Sequence, residues 1–151
     1  MSENDWDAKL AAAAEDVLET MFFSGIYGPA AAPPDGAALA ARVAFRGTPC
    51  GTLTLRLSEP SARSLASNFL ACESAEPLPQ PQLAGVVCEL ANMVCGSLLS
   101  RVKSETDFRL SAPELLPCTE PEPAAGTPAH QAFDLGDGVL DLCLELENHA
   151  G

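Results

Sequence analysis

One stretch of the chain, residues 83–103, places a carboxylate, a carboxamide and two glycines on the same side of a predicted helix. At about 100° per residue, six positions fall within an arc of about 80°, namely Gly85, Glu89, Asn92, Gly96, Ser100 and Lys103. The opposite side carries apolar residues at helix-core spacing, namely Leu83, Val87, Leu90, Val94, Leu98 and Val102. The polar side is flat and mostly short-chained, so it suits close docking of a partner into which Glu89 and Asn92 can reach.

Most polar helix faces are simply solvated and have no binding function, and this hypothesis stays open for the polar side described above. Asn and Gly are poor helix formers, with Gly costing about 1 kcal/mol relative to Ala in a helix interior. A purely solvated face would more naturally carry Lys, Glu or Gln. The presence of Asn92 and Gly96 therefore favours a function for this side of the helix.

The composition excludes several classes of partner. The chain has 151 residues and is 47% hydrophobic, which is typical of a globular domain with its own core. Its formal net charge of −13 argues against binding nucleic acid or an anionic membrane through a basic patch. The longest charge-free run near the N-terminus, Thr20 to Pro34, is broken by Gly and Pro, and no basic segment typical of a signal peptide precedes it. We therefore expect no membrane span and a cytoplasmic protein.

The cysteine and histidine pattern predicts no metal site and no nucleophilic centre. None of the six cysteines forms a CxxC pair, and Cys88 and Cys95 are about 10 Å apart along one helix, too far for a disulfide. The two histidines, His130 and His149, are assigned to a Pro-rich loop and to the region near the C-terminus. We expect reduced cysteines that pack in the interior, and no cofactor belonging to this chain.

The order of predicted elements indicates a single α+β domain over residues 1–151, with an antiparallel sheet and helices layered on one face. The predicted helices are Asp5–Phe23, a short helix after Ser58, and Gln82–Lys103. The predicted strands are Leu39–Arg46, Gly51–Leu57, Asp107–Ala112, Gln131–Leu135 and Val139–Glu147. The predicted connections are Gly28–Gly36, Cys72–Pro81 and Glu114–His130.

The last predicted strand suggests how two copies could associate. Its leucines alternate toward the core, whereas Asp141, Glu145 and Glu147 are expected to face outward. A long final strand after the Gly136–Gly138 turn is expected to lie at the sheet edge, where unpaired backbone groups invite another strand. We therefore expect a homodimer formed by antiparallel pairing of the strand Val139–Glu147.

The motif Glu89-x-x-Asn92-x-x-x-Gly96 resembles the signature of the CheC/CheX/FliY phosphatases, which dephosphorylate CheY-type response regulators of bacterial chemotaxis. Further similarity lies in Val17–Phe23, in the hairpin formed by Val43–Gly47 and Gly51–Leu55, and in Phe108–Pro113. Only one copy of the motif is present, which resembles CheX, a dimer with one site per chain. The chain has Gly85 where the family often has Asp or Ser, so a side chain that could orient the docking face is absent.

The resemblance implies an aspartyl-phosphate protein phosphatase with a CheX-like fold. Asn92 would position the attacking water, Glu89 would form a salt bridge with the active-site lysine of the receiver, and Gly96 would leave room for the receiver surface. Gly85, Ser100 and Lys103 would complete the docking face. The required Mg²⁺ would sit on the phosphorylated receiver domain.

Two other readings remain. The same face could belong to a non-catalytic module that binds a receiver domain as a sensor or scaffold. The motif could also be accidental in a plain structural domain. Turnover distinguishes the phosphatase from the binding module, because only a catalyst accelerates phosphate loss when it is present in sub-stoichiometric amounts.

Overall fold

The computed structural model describes residues 6–22, 25–30, 38–47, 50–69, 80–102, 107–116 and 129–146. Its three helices are α1 (Trp6–Met21), α2 (Glu59–Phe69) and α3 (Gln80–Ser100). Its strands are β1 (Gly28–Pro29), β2 (Ala38–Arg46), β3 (Gly51–Ser58), β4 (Arg109–Leu110), β5 (Glu114–Leu116), β6 (Ala129–Asp134) and β7 (Val139–Leu146).

The seven strands form one sheet in which every pairing is antiparallel. The strand order is β1-β6-β7-β3-β2-β4, and β5 also pairs with β2. The α+β architecture predicted from the sequence is confirmed. The two predicted hairpins, β2–β3 and β6–β7, are also confirmed, with Val43 opposite Leu53 in the first and Phe133 opposite Leu140 in the second.

The core lies between the helices and one face of the sheet. Alternate strand residues align in rows across β2, β3 and β7, and Val43, Leu53 and Leu144 form one such row with no exposed surface. Leu10 and Leu18 of α1 are equally buried, and α3 packs against α1, α2 and the sheet. Phe22 stacks on Phe69 with ring centroids 4.9 Å apart, which joins the end of α1 to the end of α2.

The helix boundaries differ slightly from the predicted ones. α3 begins at Gln80, two residues earlier than expected, because Pro81 is compatible with the first turn of a helix. The apolar spacing of the first helix also predicts that Met21 is buried, but this residue is the last of α1 and is 44% exposed. Most of the predicted Cys72–Pro81 connection lies outside the described residues.

Two predicted connections contain strands. Gly28 and Pro29 pair with β6 as β1, and Glu114–Leu116 pair with β2 as β5. The predicted loop Glu114–His130 is therefore wrong at both of its ends, since Ala129 and His130 already belong to β6. The Pro and Glu content of these short segments hid their pairing with distant strands.

The predicted edge position of the last strand is wrong. β7 lies between β6 and β3 and is paired on both sides, so its backbone is not available to a second copy. Asp141 does point to the outer face of the sheet, as predicted, but it is buried there: it is 5% exposed and its Oδ1 lies 2.6 Å from Nε2 of His130 on β6. The homodimer stays a prediction, but its proposed interface is excluded.

Helix α3 has the length and composition of a membrane span over Pro81–Ser100, contrary to the expectation that no stretch of the chain has them. Half of that span is buried inside the domain. Its apolar character is explained by packing against α1, α2 and the sheet.

The β6–β7 turn is joined to the start of α2 by side-chain hydrogen bonds. Gly136 has a φ of 92°, a conformation that favours glycine, and Leu135 N donates to Gly138 O at 2.9 Å across the turn. The carboxylate of Asp137 accepts hydrogen bonds from the hydroxyls of Ser61 and Ser64, both at 2.6 Å. This turn therefore fixes α2 relative to the central strands.

Asp137→Ala should lower the free energy of unfolding by about 1–3 kcal/mol, because two charge-assisted hydrogen bonds are lost and the buried Ser61 hydroxyl loses its acceptor. Urea denaturation followed by circular dichroism measures this change. Ser64→Ala is the control: it removes one of the two bonds at an exposed site and should cost clearly less. An unchanged urea midpoint for Asp137→Ala would show that the turn does not hold α2.

Candidate functional site

Helix α3 is anchored through its apolar side, as the spacing predicts. Five predicted core residues on this helix are at most 1% exposed: Leu83, Val87, Leu90, Val94 and Leu98. The buried side is wider than predicted, because Val86, Ala91, Cys95 and Leu99 are buried too. Val102 is also buried, but it lies just beyond the end of α3.

The opposite side of α3 carries the predicted docking face. Gly85, Glu89 and Ser100 are exposed, and Asn92 and Gly96 are half-buried. Five of the six predicted positions therefore lie together on one accessible side, while Lys103 falls outside the described residues. The hydroxyl of Ser100 donates to the carbonyl of Ser97 at 2.7 Å, so this side chain is turned back onto its own helix.

Glu89 and Asn92 are not used in holding the fold together. Among the residues that the structure describes, neither side chain has a hydrogen-bond or ion-pair partner. The two residues are three positions apart, one turn of helix, so both project from the same side at neighbouring levels. A carboxylate and a carboxamide in this arrangement offer acceptors and two amide donors to a partner that approaches α3.

The two glycines leave the helix backbone open beside these polar groups. A Cβ atom built on Gly85 or on Gly96 would meet no atom of the described residues within 4 Å, apart from its chain neighbours and the adjacent helix backbone. Packing among the described residues therefore does not require glycine at either position. Glycine weakens a helix interior, so its presence at both positions agrees with the predicted docking face, where a partner comes close to the helix backbone.

The thiols on α3 are not suited to nucleophilic chemistry. Burial raises the pKa of the Cys95 thiol to about 12. Burial, and then the negative charge of Glu89, raise the pKa of Cys88 above its ordinary value. Both thiols are therefore protonated near neutral pH, and neither supplies the thiolate that a cysteine nucleophile needs.

The described residues contain no group of three or more His, Cys, Asp or Glu side chains arranged to hold a metal ion. The chemistry that α3 can perform with Glu89 and Asn92 is the orientation of bound molecules through hydrogen bonds and charge.

The pair His130 and Asp141 was not predicted from the sequence, which assigned the histidine to a loop. The pair lies on the sheet face opposite the helices, since the neighbours Leu140 and Leu142 point into the core. It is therefore on the other side of the sheet from Glu89 and Asn92. Residues 130 and 141 meet only through the β6–β7 register, and no local pattern in the sequence predicts this contact.

One ion pair joins the end of the α3 region to its neighbour. Arg101 Nη2 lies 3.6 Å from Asp16 Oδ2 on α1, just beyond the last turn of α3. Both side chains are partly exposed, so the pair contributes little to stability.

Three solved structures resemble this chain in fold. The chemotaxis protein CheX from Vibrio vulnificus matches with a TM-score of 0.73 and 18% identity, covering 97% of this chain and 99% of that one. CheX from Desulfovibrio desulfuricans matches with a TM-score of 0.74 and 16% identity, covering 95% and 100%. The CheX–CheY–BeF3–Mg complex from Borrelia burgdorferi matches with a TM-score of 0.70 and 14% identity, covering 93% and 97%.

At these identities the structural matches establish the fold alone. A search of curated proteins gave no match. The family model for the chemotaxis phosphatase CheX, however, matches residues 39–131, which is more than half of the chain and includes the whole of α3. The chain therefore belongs to the CheX family of chemotaxis phosphatases.

Proposed function

We propose that this protein hydrolyses the phosphoaspartate of a CheY-like receiver domain by docking α3 against it. The observation that carries the proposal is the open side of α3, where Glu89 and Asn92 have no partner among the described residues and two glycines expose the backbone. Membership of the CheX family supports the activity. The similar Borrelia protein, whose structure is a complex with CheY, supports the partner.

The reaction requires water to attack phosphorus while the P–O bond to the aspartate carboxylate breaks. The products are inorganic phosphate and the free carboxylate. The phosphoaspartate is an acyl phosphate and already reactive, and the receiver supplies Mg²⁺ and a lysine to stabilise charge. The docking partner needs to add a water held in line with the leaving group, because positioning is the principal lever in phosphoryl transfer.

Asn92 performs this positioning. Its amide oxygen accepts a hydrogen bond from water while its NH₂ group donates elsewhere, and the amide keeps the same protonation state throughout. Half-burial of Asn92 on a well-anchored helix restricts the directions in which the side chain can point.

Glu89 fixes the register of docking. Its exposed carboxylate forms a salt bridge with the active-site lysine of the receiver, one helical turn from Asn92. Because α3 is buried along its opposite side, this contact orients the whole chain relative to the phosphoryl group. Gly96 and Gly85 allow the receiver surface to approach the helix backbone.

The protein acts in the cytoplasm, where receiver domains are phosphorylated, and it forms a homodimer.

The competing possibility, a receiver-binding module without turnover, predicts the same docking face, but Asn92 would then have no effect on the lifetime of the phosphoryl group.

Asn92→Ala should lower the rate of receiver dephosphorylation by about two orders of magnitude or more while the fold is preserved. The residue is half-buried on the polar side of α3, so its truncation opens no cavity in the core. The rate is measured as loss of phosphate from the receiver, and the fold by circular dichroism. Asn68→Ala, at an exposed position of α2, is the matched control and should keep the full rate. A variant at Asn92 with most of the normal rate would remove this residue from the mechanism.

Glu89→Ala should raise KM more than it lowers kcat, because an ion pair present in both the bound complex and the transition state is uniform binding. Glu89→Lys should be worse than alanine, since it sets two cations against each other. Steady-state kinetics on the phosphorylated receiver separate the two constants. Glu15→Ala, an exposed carboxylate of α1, controls for the change in net charge. A large loss in kcat with unchanged KM would instead assign Glu89 to the chemical step.

Gly96→Ala should stabilise the isolated protein by about 0.5–1 kcal/mol, because the helix gains propensity and the new methyl group has open space among the described residues. The same change should weaken binding to the phosphorylated receiver. Chemical denaturation and a binding titration measure the two effects. Gly85→Ala, at the second glycine of the proposed docking face, should change both quantities in the same direction. If Gly96→Ala gave a more stable protein with unchanged receiver binding, the receiver would not approach the helix at this residue.

A further inference from the structure

Half of the basic residues of this acidic chain lie on one surface. The chain has eight Lys and Arg residues against 21 Asp and Glu. Four of the basic residues project from the sheet face opposite the helices: Arg42, Arg46, Arg56 and Arg109. Their direction follows from strand alternation, because Phe45 and Leu110, the neighbours of Arg46 and Arg109, contact the core.

Arg46 and Arg109 stand directly opposite each other in the β2–β4 ladder. Like charges at directly opposed positions destabilise a sheet. Both side chains are exposed, and neither has an ion-pair or hydrogen-bond partner among the described residues. By contrast, Arg42 on the same face is paired with Glu114 at 3.1 Å.

The opposed arginines therefore repel each other, and no hydrogen bond or ion pair among the described residues compensates for the repulsion. Such locally unfavourable arrangements concentrate at functional sites. Two guanidinium groups side by side present forked N–H donors that match carboxylate or phosphate oxygens. Arg42 lies four residues along β2, about 13 Å away, but its charge is balanced by Glu114, so the uncompensated positive charge is that of Arg46 and Arg109.

We propose that Arg46 and Arg109 bind an acidic, extended segment of a partner protein. β4 is the last strand in the described order of the sheet, so an extended segment can lie beside it with its carboxylates next to Arg109 and Arg46. A segment with a few carboxylates also suits a protein of net charge −13 better than a long polyanion such as nucleic acid. This surface is separate from α3, and its use does not depend on the phosphatase proposal.

The test is fluorescence anisotropy of a labelled oligoglutamate peptide titrated with the full chain at low ionic strength. The unaltered protein should bind, and the double variant Arg46→Ala/Arg109→Ala should bind about tenfold more weakly or worse. The double variant Lys9→Ala/Arg63→Ala removes the same charge from the helices and should bind nearly as well as the unaltered protein. Equal binding by the two double variants, or no binding by the unaltered protein, would overturn the proposal. A single-stranded oligonucleotide or inorganic phosphate that competed as strongly as the peptide would overturn the assignment to acidic peptides.

Thermal unfolding supplies an independent readout. If the arginine pair serves binding, Arg46→Ala/Arg109→Ala should unfold at the same or a higher temperature than the unaltered protein, because two like charges have been removed from opposed positions. A clear drop in the unfolding temperature would assign the pair a structural role and contradict the proposal.

Discussion

Helix α3 packs against β2 and β3 through its apolar side, and this contact holds the helix in place for everything that its open side presents. Leu90 and Leu98 are almost completely buried, and each such side chain contributes about 1.5–3 kcal/mol by leaving water. Because the anchoring comes from one side of the helix, the other side is free to carry residues that a helix does not favour. A rigid, well-anchored element can therefore present Glu89 and Asn92 in a fixed geometry without any cofactor or strained loop.

Periodicity in the sequence was sufficient to predict which side of α3 is buried and which face of each main strand points into the core. The apolar spacing of Leu83, Val87 and Leu90 fixes the buried side of the helix, and the alternation in Gly51–Leu57 fixes the core face of β3. These features are local, so a single sequence contains them. The open space around Gly85 and Gly96 follows from the same geometry.

The features that the sequence did not predict all depend on pairing between distant segments. Alternation places Asp141 on the outer face, but only the strand order shows that β7 is central and that His130 stands beside that carboxylate. Short strands such as β1 and β5 are defined by the partners they meet, because their own residues have little strand preference.

Two surfaces of this protein carry residues that weaken the helix or strand pair to which they belong. Gly85 and Gly96 weaken α3 where a receiver is proposed to dock, and the opposed Arg46 and Arg109 weaken the β2–β4 ladder where an acidic segment is proposed to bind. In both places the neighbouring buried residues supply the stability. The buried side of each element therefore stabilises the fold. The exposed side can carry residues that suit binding to other molecules at some cost in stability.

Turnover decides whether this chain is a catalyst or only binds a receiver. A phosphorylated CheY-like receiver is supplied in large excess over the full chain, and its remaining phosphoryl groups are followed over time. If the chain is a phosphatase, the receiver should lose phosphate faster than it does spontaneously, and each chain should release many phosphates. Phosphate loss at the spontaneous rate, or acceleration that stops after one phosphate per chain, would show that the chain is not a catalyst.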